Sequence, residues 1–174
     1  MTDAFYQDGA TFNKGRAMEE ARQKMPWSDW ILFVDADVVP EPNWYRKVCD
    51  YKPTIGHLYG AARYDAQTAD RVGSPDCRVI PGDGVGVGYW QLFHSTDPRV
   101  QQRPLLETCW KHGGVYDSHF LRRWPTTMRH NLPIRLDHLG ERDNWWGRGN
   151  KEAFAAMMEE RRRRGGYDHE RIEP

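Results

Sequence analysis

Two carboxylates stand close together near the end of an apolar segment of the sequence. Asp35 and Asp37 follow the apolar run over residues 30–34, and Pro40 lies just beyond them. Side chains two residues apart on a regular strand point to the same face, which lets both carboxylates bind one ion. Carboxylate oxygens suit Mg2+ or Mn2+, ions that commonly also bind substrate phosphates. The pair therefore predicts a divalent-cation site, the alternative being a turn cap and an arginine partner.

Helical and strand patterns surround this pair. Residues 14–25 have apolar side chains at helical spacing, which predicts a helix that Asn13 caps and Pro26 ends. Its expected inward face is Ala17, Met18, Ala21 and Met25. The run over 30–34 has the composition of a strand buried on both faces. A short helix over 43–51 follows, and its expected inward residues are Trp44, Tyr45, Val48 and Cys49.

The rest of the chain continues the alternation of helices and strands. Strands are predicted over 57–63, 88–94 and 134–139, and a helix over 117–124. The segment 65–87 is rich in Gly and Pro and is expected to be a loop, and 150–174 is expected to form a C-terminal helix with a basic tail. This order predicts an α/β fold with a mixed sheet, in which ligands bind beyond the carboxyl ends of strands.

Composition narrows the class of protein. The 174 residues suggest one domain, and 25 basic residues balance 25 acidic ones, so no net charge attracts nucleic acid. Three widely spaced cysteines without a CxxC pair argue against structural zinc and a disulfide framework. The first residues lack the basic and apolar regions of a signal peptide, and no segment is long and apolar enough to span a membrane. We therefore expect a cytoplasmic protein with no transmembrane segment.

Five motifs occur in an order that resembles glycosyltransferases of the GT-A fold, especially the large family-2-like group. They are FNKGRAMEEA, WILFVDADVVP, GYWQLFH, GGVYDSHFLRRWP and LDHLGERDNWWGR, and they span residues 12–148. The resemblance implies that Asp35 and Asp37 hold Mn2+ or Mg2+ on the diphosphate of a nucleotide-sugar donor. The donor would be a UDP- or GDP-sugar, and the acceptor a hydroxyl of a glycan or other molecule.

The resemblance also implies roles for residues further along the chain. Asp117 would match the general base of inverting members, and His138 the histidine that completes the metal site. Asn144, Trp145 and Arg148 would belong to a loop that closes over the diphosphate. Two other readings stay open: Asp117 as a helix N-cap, and His138 as a hydrogen-bonded histidine at a strand end.

The sequence shows no counterpart of the strand–helix–strand segment that opens GT-A domains and holds the nucleotide base. We therefore expect an N-terminally truncated, GT-A-like mixed sheet flanked by helices, forming one domain over 1–174. The expected function is a metal-dependent, inverting glycosyltransferase. The alternative is a non-catalytic GT-A remnant that binds a glycan or a partner subunit, including a second copy of the chain as a homo-oligomer. A metal-dependent phosphotransferase or hydrolase is the third reading.

Overall fold

A computed structural model describes most of the chain. It covers residues 14–80, 88–101, 105, 113–140, 159 and 163. The chain divides into two compact units. The first consists of Met1–Pro26, Arg103–Phe120 and Asp143–Pro174, and the second of Trp27–Gln102 and Leu121–Arg142. The expectation of one domain over 1–174 stays a prediction, and nearly all of the predicted C-terminal helix and basic tail lies outside the described residues.

The second unit is built around a mixed sheet, to which six strands contribute within the described ranges. They are β1 (Trp30–Val34), β2 (Val38–Pro40), β3 (Leu58–Gln67), β4 (Arg78–Ile80), β5 (Trp90–His94) and β6 (Arg129–Leu139). Their order is β1-β5-β3-β6-β2, and β4 pairs with β3 off this path. The α/β class and the mixed sheet are thereby confirmed.

Strand directions decide which ends of the sheet come together. β5 is antiparallel to both β1 and β3, whereas β3 and β6 run parallel. Consequently β1, β3 and β6 all point the same way, and their carboxyl ends share one edge of the sheet. In open α/β sheets, that edge is where ligands bind.

The core of this unit lies where β3, β5 and β6 pack together. Its buried members include Tyr59, Trp90, Leu92, Leu132 and Leu136. Trp44 and Val48 of helix α2 (Trp44–Tyr51) pack against this cluster, and the rings of Trp44 and Trp90 meet edge to face with centroids 5.0 Å apart. These contacts fasten α2 to the sheet by one face only.

Three expectations about burial are wrong. On α2, Tyr45 is 68% exposed and Cys49 is also exposed, so the inward face is narrower than predicted. Strand β1 is not buried on both faces, because Ile31 is buried whereas Val34 is 45% exposed. In the first unit, Ala21 of helix α1 (Lys14–Lys24) and Met25, directly after that helix, are exposed, whereas Lys14, Gly15, Ala17 and Glu19 are buried.

Element bounds were predicted well for short, local patterns and poorly for long strands. The predicted 30–34 strand and the helix near 43–51 match β1 and α2. β3 and β6 are longer than predicted, and the supposed loop over 65–87 contains the end of β3, a short 3-10 helix Ala69–Arg71 and β4. The helix predicted at 117–124 is α4, Gly113–Leu121, and α3 (Pro98–Gln101) was not predicted. In the part of the chain that the structure describes, no helix could cross a bilayer.

Candidate functional site

The two carboxylates of the opening motif lie in a turn, not on a regular strand as predicted. β1 ends at Val34, and the Val38 N–H donates to the Asp35 carbonyl at 3.2 Å, which closes a four-residue turn before β2. The turn is held on both sides, because the Asp35 N–H donates to the Tyr89 carbonyl at 3.1 Å and the Leu139 N–H donates to the Asp37 carbonyl at 2.8 Å. The turn is therefore tied to the residue before β5 and to the end of β6.

His138 lies beside this turn. Its Nε2 is 3.6 Å from Oδ2 of Asp37, and its side chain is 14% exposed against 44% for that of Asp37. The antiparallel pairing of β2 with β6 sets His138 opposite Val38, which fixes its place next to Asp37. The structure thus brings together a half-exposed carboxylate and a mostly buried imidazole.

The surroundings of His138 disfavour its charged form. Burial is the largest cause that lowers the pKa of His138 below its ordinary value of 6.5, and Arg63 acts in the same direction. Three carboxylates act against that shift, those of Asp37, Asp65 and Asp35. A neutral imidazole keeps a lone pair for a metal ion, so the lowered pKa suits a ligand role.

Strand β3 contributes a charged pair that the sequence analysis did not single out. Asp65 is opposite His138 in the parallel pairing of β3 with β6. Arg63, two residues earlier on the same face, donates from Nε to Oδ1 of Asp65 at 2.8 Å, and both side chains are largely buried. The spacing R-x-D in a strand was the available signal, but the predicted strand ended at Arg63 and left Asp65 in the supposed loop.

Tyr89 lies beneath this pair and completes the polar surroundings. The guanidinium of Arg63 lies over its ring, 5.7 Å from the centroid, and its hydroxyl donates to the buried Ala61 carbonyl at 2.8 Å. Burial, with a smaller contribution from Asp65 and against the opposing charge of Arg63, raises the pKa of Tyr89 to about 12. The phenol therefore stays neutral at physiological pH and serves as a fixed support.

Asp137 has a structural role on the other face of β6. It is almost completely buried and binds Arg135, whose Nη2 is 2.6 Å from its Oδ1. Asp137 Oδ2 also accepts a hydrogen bond from the Gly73 N–H at 3.2 Å, and Arg135 donates to the Ser74 carbonyl at 2.7 Å. This network fastens the segment after β3.

Asp117 belongs to the first unit and is described there by itself. It is the fifth residue of α4, so the alternative of a helix N-cap is wrong. Its Oδ1 is 3.3 Å from Nζ of Lys14, the first residue of α1, and both side chains are nearly buried. Lys14 also lies over the ring of Tyr116, 5.4 Å from its centroid. A buried cation therefore accompanies the predicted general base.

The remaining predicted site residues are not part of the described chain. Asn144, Trp145 and Arg148 lie outside the described residues, so their predicted place over a diphosphate stays a prediction. Across the residues that are described, no three or more His, Cys, Asp or Glu side chains are arranged to hold a metal ion. Of the predicted metal ligands, Asp37 and His138 are 3.6 Å apart.

Comparison with known proteins adds no family assignment. No protein-family model, no curated protein and no solved structure matches this chain. Functional inference therefore depends on the motifs and on the geometry of the residues described above.

Proposed function

We propose that this chain is a metal-dependent glycosyltransferase with a GT-A-like fold, which moves a sugar from a UDP- or GDP-sugar to an acceptor hydroxyl. The observation that carries the proposal is the contact between Asp37 and His138 at the carboxyl ends of β1 and β6. Two motifs 100 residues apart in the sequence, each assigned to one cation by the resemblance, meet at the edge of the sheet where ligands bind.

The charges around His138 suit a divalent cation. Asp35, Asp37 and Asp65 carry three formal negative charges and Arg63 one positive charge, which leaves two negative charges in excess. An Mn2+ or Mg2+ ion balances this excess, and the oxygen-rich surroundings match the preference of these ions. Because the side chain of Asp37 is 44% exposed, water and phosphate oxygens can reach an ion that it holds.

The proposed roles follow from these positions. Asp37 and His138 would hold the ion, and Asp35, in the same turn, would contribute the other carboxylate. When bound, the ion neutralises charge that develops on the leaving diphosphate. Asp65 holds the Arg63 guanidinium by a hydrogen bond at 2.8 Å, and Arg63 would add positive charge to the site without a proton transfer.

Asp117 is proposed as the base that takes the acceptor proton, on the strength of the resemblance alone. Its buried partner Lys14 lies 3.3 Å from its Oδ1, so the carboxylate is engaged in an ion pair. A proton taken from the acceptor would therefore have to compete with this ion pair.

Thermal unfolding with Mn2+ and a panel of nucleoside diphosphates tests the proposal. A ligand at a hundredfold excess over its Kd stabilises the folded state by about 2.7 kcal/mol, which raises the Tm of a chain this size by about 5–10 °C. Asp37→Asn and His138→Gln should abolish the rise, whereas Asp50→Asn, which alters an exposed carboxylate on α2, should retain it. The proposal is refuted if no nucleotide produces a metal-dependent rise.

A second candidate function is nucleotide or glycan binding without transfer, and the Lys14–Asp117 ion pair favours it. In that case Asp117 serves to join α1 to α4 and never meets an acceptor. Asp117→Asn separates the two candidates, provided that nucleotide binding has been shown. Loss of sugar transfer with unchanged metal-dependent nucleotide binding supports the transferase. A wild-type protein that binds but never produces a glycosylated acceptor or free sugar supports the binding module.

A further inference from the structure

Two histidines face each other at the edge of the sheet opposite the candidate site. His57 directly precedes β3, and His130 is the second residue of β6. The parallel register pairs Tyr59 with His130, so the two imidazoles come from the amino ends of adjacent strands. His130 Nε2 lies 2.8 Å from His57 Nδ1, and one of these nitrogens donates a hydrogen bond to the other.

The geometry of the two rings suits a chelated metal ion. The ring planes are within 20° of each other and the centroids are 4.7 Å apart. At the present separation of the two facing nitrogens, an ion about 2.1 Å from each of them would have an N–ion–N angle of about 85°. That angle matches neighbouring ligands in square-planar or octahedral coordination and is well below the tetrahedral angle. Copper(II) and nickel(II) favour such coordination by nitrogen and oxygen.

We propose that His57 and His130 form a two-histidine site for Ni2+ or Cu2+, completed by water. Metal binding breaks the hydrogen bond between the rings, and the donor imidazole moves its proton to its other ring nitrogen. Both facing nitrogens then present lone pairs, and no proton is released overall. The site does not depend on the proposed transferase function.

The surroundings hold the two imidazoles in place. The ring of Tyr59 lies against both, with centroid distances of 6.3 Å to His57 and 5.5 Å to His130. The Tyr59 hydroxyl is itself fixed, because it accepts a hydrogen bond from the Thr54 N–H at 2.7 Å. Gly56, the residue before His57, is also held, because its carbonyl accepts a hydrogen bond from the guanidinium of Arg99, which is paired with Asp97 at 3.2 Å. A preformed pair with this support loses little conformational freedom when it binds a metal ion.

Calorimetric titration with Ni2+ tests the site in the full chain. His57→Asn and His130→Asn should each lower the affinity by at least about tenfold. His94→Asn is the matched control, since His94 lies at the end of β5 with its Nδ1 2.8 Å from Thr96 Oγ1 and is not part of the pair. Equal Ni2+ affinity in wild-type protein and both pair variants would overturn the proposal.

Copper spectroscopy gives a second readout. The electron paramagnetic resonance spectrum of Cu2+ should show coupling to two imidazole nitrogens in wild-type protein and one fewer in either pair variant. Unchanged coupling in both variants counts against the site, and circular dichroism establishes that each variant is folded. Asp37→Asn should retain the Ni2+ site, so failure of the carboxylate site and failure of the histidine site are distinguishable.

Discussion

Replacement of Tyr89 by Phe tests whether the Tyr89 hydroxyl, beside the candidate site, is as buried as the structure indicates. The substitution removes the hydroxyl that donates to the Ala61 carbonyl at 2.8 Å and leaves the ring under Arg63. Loss of this hydrogen bond should lower the free energy of unfolding by about 1 kcal/mol at pH 8.

The pH dependence of that difference carries the sharper prediction. Burial raises the pKa of Tyr89 from 10 to about 12, so the unfolded chain releases the phenolic proton first as the pH rises. Stability that is present below pH 10 is therefore lost as the pH approaches 12. The total is about 2.7 kcal/mol, from about 1.36 kcal/mol for each pH unit, and about half of it is lost by pH 11.

Urea unfolding at pH 8 and pH 11 measures the effect. Between these values, wild-type protein should lose about 1.4 kcal/mol more than Tyr89→Phe, so the variant becomes at least as stable as the wild type at pH 11. Tyr51→Phe is the control, because it removes the hydroxyl of a tyrosine that is 40% exposed. A wild-type to Tyr89→Phe difference that is the same at both pH values would refute the reasoning.

Three further substitutions test the site and its support, each by urea unfolding. Because burial lowers the pKa of His138, the unfolded chain takes up a proton before the folded chain as the pH falls below about 6.5. The free energy of unfolding should therefore decrease in this range, and His138→Gln should reduce the decrease. An acid profile of the variant identical to that of the wild type would contradict this prediction. Gln91 is fully buried and its amide has no hydrogen-bond partner among the described residues. Gln91→Met should therefore raise the free energy of unfolding by about 1–3 kcal/mol. A lower free energy of unfolding in the variant would show that the amide makes a stabilising hydrogen bond. Arg135→Met should lower the free energy of unfolding by about 3 kcal/mol, because it leaves the buried carboxylate of Asp137 without its ion-pair partner. The double variant Arg135→Met with Asp137→Leu should recover part of this loss. Equal losses in the single and the double variant would argue against a stabilising ion pair.

Local patterns in the sequence were sufficient for several elements and for part of the candidate site. Five consecutive apolar residues predict β1, and the composition of residues 43–51 predicts α2, because strand and helix formation depend largely on neighbours within one element. Asp35, Asp37 and His138 were identified from motifs that are short and contiguous. Their residue types suit a cation whatever the pairing of the strands.

The rest of the candidate site depends on which strands pair, and sequence periodicity does not contain that information. Arg63 and Asp65 join His138 only because β3 and β6 are parallel and in the observed register. The same pairing brings His57 to His130, 73 residues further along the chain. Neither contact has a signal within its own segment.

Burial was mispredicted for the same physical reason. The sequence by itself determined that 30–34 is an apolar strand, but only the tertiary structure decided that Ile31 is buried and Val34 exposed, because neighbouring elements determine which side chains are covered. The sequence likewise determined that Asp35 and Asp37 stand at the end of that strand. Only the tertiary structure decided that they lie in a turn tied to the residue before β5 and to the end of β6, with Asp37 beside His138, because those hydrogen bonds join residues that are distant in sequence.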